Sequence, residues 1–342
     1  MNKRARTRKV ISMKHIGIYL ILVFVVITLT GCSSGTQTTT GKAFVGGTEG
    51  LKMTYMPGSP PATIVDGGNS GFGIVVKLEN VGEYNIKAND GYVKILGLEA
   101  GTYGETKYAD FKQNFGSDIN GAVKNYDGSV RNGQTATVEF GDLKYIPSIA
   151  GDLQQNVYAE ACYKYQTRVA TQICIKKDAQ QMLNNNKICD VEGETNPQNS
   201  GAPVQITSLK ESFAGNGKIG VTMTISHVGT GDAFFKDSVS ECNDVETNTD
   251  RDKVKISFKP VQIGSANIYP KCTGLSEANA GSSEGFVRLY RDNSGKATAT
   301  LYCTIDAGSV NSIFEVPLEA TLSYKYLQHI ETPLNIRHVA QQ

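Results

Sequence analysis

From residue 51 onward, apolar and polar residues alternate in short runs. Leu51, Met53 and Tyr55 alternate with polar neighbours, as do Phe72, Ile74, Val76 and Leu78, and then Ala136, Val138 and Phe140. Later come Ile219, Val221, Met223 and Ile225. Val254, Ile256 and Phe258 then stand against Lys253, Lys255, Ser257 and Lys259. A period of two with one apolar face is the mark of a half-buried β-strand. Turn signals separate the runs: Pro57-Gly58, Asp66-Gly67, Asp90-Gly91, Asp127-Gly128, Asn132-Gly133 and Asn216-Gly217. Helical candidates are few and short. One is Asp178 to Asn185, which Asn184-Asn185-Asn186 would end. The pattern predicts an all-β chain.

Two stretches occur twice, in the same order. Residues 163–175 (YKYQTRVATQICI) align without gaps to 324–336 (YKYLQHIETPLNI), sharing Tyr, Lys, Tyr, Thr and the last Ile. Earlier in each half, Gly73 to Gly82 aligns with Gly220 to Gly229. A tandem duplication of one β domain is the simplest account. The Asn-rich, Gly/Pro-containing stretch 181–201 then reads as a linker. It separates one sandwich at 46–180 from a second at 202–342. Each is long enough for seven or more strands with some long loops.

The N-terminus carries a different signal. Residues 1–31 hold six basic residues and no acid, and Ile16 to Thr30 is an uncharged run of 15. At ~1.5 Å per residue that run reaches only ~22 Å, short of the ~30 Å hydrocarbon core of a membrane. It suits the h-region of an export signal. The following Leu29-Thr30-Gly31-Cys32 resembles the lipobox of prokaryotic lipoprotein signal peptides. The resemblance implies a diacylglyceryl group on the Cys32 thiol and cleavage before that residue. Membrane lipid is then a partner through Cys32, on the extracytoplasmic side. The alternative is an uncleaved anchor with an incidental cysteine. Residues 32–45 read as a lipidated tether, Ser/Thr/Gly-rich and without core-forming residues through Gly41.

Seven cysteines are present, at 32, 162, 174, 189, 242, 272 and 303. Giving Cys32 to lipid leaves six in a compartment where disulfides persist. No C-x-x-C pair suggests zinc. Six cysteines allow 15 pairings. Cys162 and Cys174 align with Ser323 and Asn335, so both are missing from the second copy together. They also flank Arg168 symmetrically, and a hairpin turning there would bring them opposite each other. Cys162–Cys174 is therefore the favoured pair, followed by Cys272–Cys303 and Cys189–Cys242.

Val75-Val-Lys-Leu-Glu-Asn-Val-Gly82, with its echo from Val221 to Gly229, resembles the immunoglobulin-like modules of prokaryotic surface proteins, especially the CARDB type. The echo departs from it, with His227 in place of Asn. The resemblance implies a β-sandwich on a cell surface, in adhesion, spacing or binding roles. It carries over no functional residues.

Composition narrows the function further. Hydrophobic residues are 39% and charged residues 20%, which supports packed cores. Without the first 31 residues, 28 basic residues face 33 acidic ones, which argues against nucleic acid. Gly215 to Gly220 matches G-x-G-x-x-G, but a strand follows where a dinucleotide site needs a helix. Gly281-Ser-Ser-Glu-Gly285 matches G-x-S-x-G, and His329 and His338 lie downstream. A strand again follows in place of the helix of a nucleophile elbow. Asp244, Glu246, Asn248, Asp250 and Asp252 resemble the front of a calcium loop, but Thr249 and Lys255 stand where such a loop needs Gly and Glu. His227, His329 and His338 lack ligand spacing. The paired tyrosines Tyr163/Tyr165 and Tyr324/Tyr326 read as core. No catalytic residue, cofactor or metal site is expected. The sequence predicts a non-enzymatic, lipid-anchored surface protein in an adhesion, scaffold or binding role, with a surface protein or glycan as partner. The alternatives are an envelope component binding a glycan or small ligand, and a hydrolase using Ser283.

Overall fold

The computed structural model describes residues 41–105, 107–176, 189, 193–215, 217–235, 242, 249–279, 281–308, 310 and 312–340. The signal segment 1–31, Cys32, the tether through residue 40 and the helical candidate at 178–185 lie outside these. Among the described residues the chain is all β. Its helical turns are short 3-10 pieces at Ala88–Asp90, Gly101–Tyr103 and Tyr108–Phe111. None of its helices is long and apolar enough to cross a membrane.

The first half supplies β1 (Leu51–Tyr55), β2 (Thr63–Val65), β3 (Phe72–Asn80), β4 (Gly91–Leu96) and β5 (Lys112–Asn114). A small hairpin of β6 (Val123–Lys124) and β7 (Val130–Arg131) precedes β8 (Thr135–Leu143) and β9 (Leu153–Ile175). The second half begins with β10 (Glu194–Thr195), β11 (Gln198–Asn199), β12 (Val204–Phe213), β13 (Lys218–His227) and β14 (Asp232–Phe234). There follow β15 (Lys253–Phe258), β16 (Val261–Ile263), β17 (Ala266–Ile268) and β18 (Lys271–Thr273). The chain closes with β19 (Glu284–Arg288), β20 (Tyr290–Arg291), β21 (Ala297–Asp306) and β22 (Phe314–Arg337). Every alternating run named above lies in one of these strands.

One sheet runs through both halves, in the order β19-β15-β22-β9-β4-β5. A three-stranded sheet, β1-β3-β8, belongs to the first half, and β10-β12-β13-β21-β18 to the second. The equivalences follow the repeat: β1 matches β12, β3 matches β13, β4 matches β15, β8 matches β21 and β9 matches β22. Residues 42–342 form one compact unit. The strand order is thus repeated, and the halves drawn at 46–180 and 202–342 share one sheet. Within the segment read as a linker, β10 pairs with β12 and β11 with β9.

The seam between the halves is the antiparallel pair β9–β22, in register from Leu153↔Ile336 to Ile175↔Phe314. Lys164 pairs with Lys325, its own repeat equivalent, so the internal pseudo-twofold passes there. The exchange is reciprocal. Ile173 and Ile175 of β9 are buried and pair with the first residues of β22. Leu334 and Ile336 of β22 are buried beside β2 of the first half.

Four tyrosines pack at this seam, each no more than 2% exposed: Tyr163 opposite Tyr326, and Tyr165 opposite Tyr324. Their ring centroids are 6.0 and 6.4 Å apart across the seam, within the range of favourable aromatic pairs. Burial pushes the Tyr163 and Tyr324 hydroxyls well above the usual phenol value, which keeps them neutral. Buried hydroxyls need partners, and the two halves supply them symmetrically. Leu51 N–H donates to Tyr163 at 3.2 Å, and Val204 N–H to Tyr324 at 3.3 Å. Tyr84 N–H donates to Tyr165 at 3.5 Å, and Gly231 N–H to Tyr326 at 2.7 Å.

The two repeated blocks meet in space. A Cβ on Gly82 would lie 1.9 Å from the Tyr165 hydroxyl, and one on Gly229 would lie 2.4 Å from that of Tyr326. Both positions therefore require glycine. At the divergent position, buried Asn80 donates its amide to the carbonyls of Tyr84 and Ile119. His227 instead meets the Tyr326 hydroxyl at 3.1 Å.

Three disulfides join Cys162 to Cys242, Cys174 to Cys189 and Cys272 to Cys303. The expected Cys162–Cys174 and Cys189–Cys242 pairs are corrected: the four cysteines exchange partners. Arg168 starts no hairpin. β9 runs straight through it, which leaves Cys162 and Cys174 twelve residues apart on one strand, ~40 Å at ~3.3 Å per residue. Cys162–Cys242 ties the first half's long strand to the second half. Three disulfides fit an oxidising, extracytoplasmic compartment.

Candidate functional site

An open cleft of about 1070 Å3 lies in the second half. One wall is the β16–β17 hairpin and the residues after it, from Ile263 to Lys271. The opposite wall is formed by Asp306, Ala307, Gly308, Val310, Ser312 and Phe314 of the β21–β22 connection, with Gly281, Ser282 and Ser283 closing one side. Its apolar surface comes from Ile263, Ile268, Val310 and Phe314. Its polar groups are the Asn267 amide, the Tyr269 phenol, the Lys271 ammonium, the Asp306 carboxylate and several serine hydroxyls.

The repeat explains why a cleft exists here. It lies between two connections, β15 to β19 and β21 to β22. In the first half the equivalent connections run from β4 to β5 (97–111) and from β8 to β9 (144–152). They are zipped together: Lys144 N–H donates to the Tyr103 carbonyl at 3.2 Å, and Ile146 N–H to the Thr102 carbonyl at 2.9 Å. Tyr103, 1% exposed, fills the space between them. Its ring packs edge-on against Phe72 and Tyr145, at 6.0 and 5.4 Å. In the second half the first connection lengthens to 259–283 and carries the β16–β17 hairpin and β18. The tyrosine it carries, Tyr269, is 53% exposed. The same pair of connections is closed in one half and open in the other.

The far wall is held firmly. β18 pairs with β21 through Lys271↔Thr304, Cys272↔Cys303 and Thr273↔Tyr302, and the central pair is the disulfide. Cys272 N–H donates to the Ser282 carbonyl at 3.0 Å, which fixes the serine side against β18. Asp306 accepts the Gly308 N–H at 3.0 Å. Among the described residues, the side chains of Asn267, Tyr269, Lys271 and Ser283 have no hydrogen-bond partner in the protein, which leaves them to solvent or ligand. The lining carries one cation and one anion.

The residues singled out by motif do not converge. Ser283 lines the cleft, but neither His329 nor His338 does. His329 is exposed on β22, opposite Glu160. The His338 ring meets Asp66 at 2.8 Å, at the opposite end of the fused body from the β21–β22 connection. That contact, with the N–H groups of Ile149 and Val339, holds the Asp66 carboxyl well below the usual carboxylate range. Gly281 to Gly285 leads into β19, a strand. Gly215 to Gly220 spans the turn between β12 and β13 and the start of β13; Asn216 lies outside the described residues. Asp244, Glu246 and Asn248 also lie outside them, and the carboxylate of Asp252 is bound by Arg291 at 2.7 and 2.8 Å. Among the described residues, no three His, Cys, Asp or Glu side chains gather to hold a metal.

Tyr269, Asn267, Lys271 and Asp306 were not legible as a site, since none sits in a motif. The available signal was the longer β15–β19 connection set against its counterpart in the first copy. No protein-family model matches this chain, and no curated protein matches it.

Proposed function

We propose that this chain is a non-enzymatic, lipid-anchored surface protein. It holds its ligand in the cleft of the second half, while the first half serves as the rigid mount next to the membrane. The observation that carries the reading is the contrast between the two copies: one architecture, with the space between two connections plugged in one half and open and polar in the other. Binding sites are concave and mix apolar walls with a few polar groups, and the cleft has this character. The lipobox-like Leu29-Thr30-Gly31-Cys32 and the three disulfides support export and anchoring at Cys32.

Two measurements test this. Intact mass of the native protein should give a chain beginning at Cys32 with added acyl mass; a chain beginning at Met1 without lipid overturns the anchoring. A ligand of the native state raises the melting temperature. Envelope extracts should therefore contain a component that raises it and slows hydrogen exchange at 261–271. Protection confined to the first half overturns the assignment to the cleft, and turnover of any ester, glycoside or peptide panel by the purified protein overturns the non-enzymatic reading.

A further inference from the structure

We infer that the ligand of the cleft is a short neutral oligosaccharide, with Tyr269 as the face on which a sugar ring stacks and Asn267, Lys271 and Ser283 as the groups that read its hydroxyls. This rests on the cleft being the binding site. A pyranose ring has two kinds of surface: a face of C–H groups and a rim of hydroxyls that both donate and accept. The cleft offers a counterpart to each. Tyr269 is more than half exposed, whereas Tyr103, which fills the space between the equivalent connections of the first half, is buried. An aromatic ring held at a cleft wall suits the C–H face. Beside it, Asn267 supplies two donors and an acceptor, Lys271 three donors, and Ser283 a group that does both. None of these side chains is engaged by another described residue, so a ligand meets them without first breaking a protein hydrogen bond.

Charge and shape point away from other small ligands. Lys271 and Asp306 leave the lining with no excess of either sign, so an ionic ligand gains little over water. A lipid tail finds an open trough edged by Ser265, Ser282, Ser283 and Ser312 in place of a closed apolar cavity. A cavity of about 1070 Å3 is at the upper end of small-ligand sites, room for more than one sugar ring.

The test is calorimetric titration of the full chain, in detergent, with maltotriose, cellotriose, chitotriose and xylotriose, and separately with a pool of uncharged nonapeptides. At least one trisaccharide should bind. Tyr269→Ala and Asn267→Ala should each weaken it by about tenfold while leaving the melting temperature unchanged. If the trisaccharides fail to bind but the peptides bind and lose affinity in Tyr269→Ala, the sugar assignment falls and the cleft stands. Sugar binding indifferent to both substitutions removes the cleft itself as the site. Binding by neither class overturns the oligosaccharide inference.

Discussion

The two copies share strand order and the tyrosine seam, and differ in how they treat their ends and edges. Where the first half packs Tyr103 between its connections, the second extends β16–β17 and leaves a cleft. At the sheet edge the relation reverses. In the second half β18 and β20 cover β21. In the first half β8 is, among the described residues, the edge of its sheet. It is guarded there by the exposed charge of Glu139 and by Asp142 in a left-handed conformation, features that discourage pairing with another chain. The shared features lie where the copies bury each other, and the differences lie where each meets solvent.

The contrast can be broken most directly at the seam. Tyr324→Ala removes a fully buried ring that bonds Thr167 and Val204. It should cost about 3–5 kcal/mol in denaturant unfolding. Because β9 and β22 are shared, both halves should still unfold in one transition by near-UV circular dichroism and by hydrogen exchange. Two resolved transitions would mean that the halves are energetically separate.

The plug-and-cleft contrast predicts unequal responses to one substitution. Tyr103→Ala should cost about 3–5 kcal/mol, and Tyr269→Ala should stay within about 0.5 kcal/mol of the parent. Equal losses would show that Tyr269 is a structural residue. Next in size is the edge staple. Cys272→Ala with Cys303→Ala opens a link spanning 31 residues and should cost about 3.7 kcal/mol by the chain-entropy argument. Oligosaccharide affinity should fall with it, because β18 holds Lys271.

The smallest effect concerns the far ends of the exchanged strands. At the end of β9 the lock is covalent, Cys174–Cys189, with Glu211 accepting the Cys174 N–H. At the end of β22 it is hydrogen-bonded, with the Asp66 carboxylate meeting the His338 ring and accepting the Val339 N–H. The folded state lowers the Asp66 pKa below the ~3.9 of a free side chain. The stability this contributes is fully present above about pH 5 and is lost as pH falls through the lowered value. The melting-temperature gap between the parent and Asp66→Asn should therefore narrow steadily as pH falls from about 5 to 2. A gap unchanged over that range would mean that the carboxylate charge contributes nothing to the lock.

Much of the fold was legible because period-two patterning is local. The repeat was legible because Gly82 and Gly229 press against the hydroxyls of Tyr165 and Tyr326, so both blocks had to persist together. The break expected at Arg168 ignored a warning in the same residues. Tyr163, Tyr165, Thr167, Val169, Ile173 and Ile175 keep one parity across it, as an unbroken strand requires. The disulfide exchange followed from that single error, because pairing depends on which strands become neighbours, and spacing along the chain does not report that. The cleft was hidden for a related reason. It is a space between two connections, and only the plugged copy shows what is missing from it.

The β9–β22 ladder also decides how the molecule would bear a pull. Were the chain anchored ahead of residue 42 and its ligand held in the cleft, as proposed above, tension between the two would cross from one copy to the other. Twenty-three consecutive residue pairs and the Cys162–Cys242 bond lie on that boundary. A load shared along so long a ladder has no weak first link to peel, and the covalent bridge stops the copies from parting even if the strands slip.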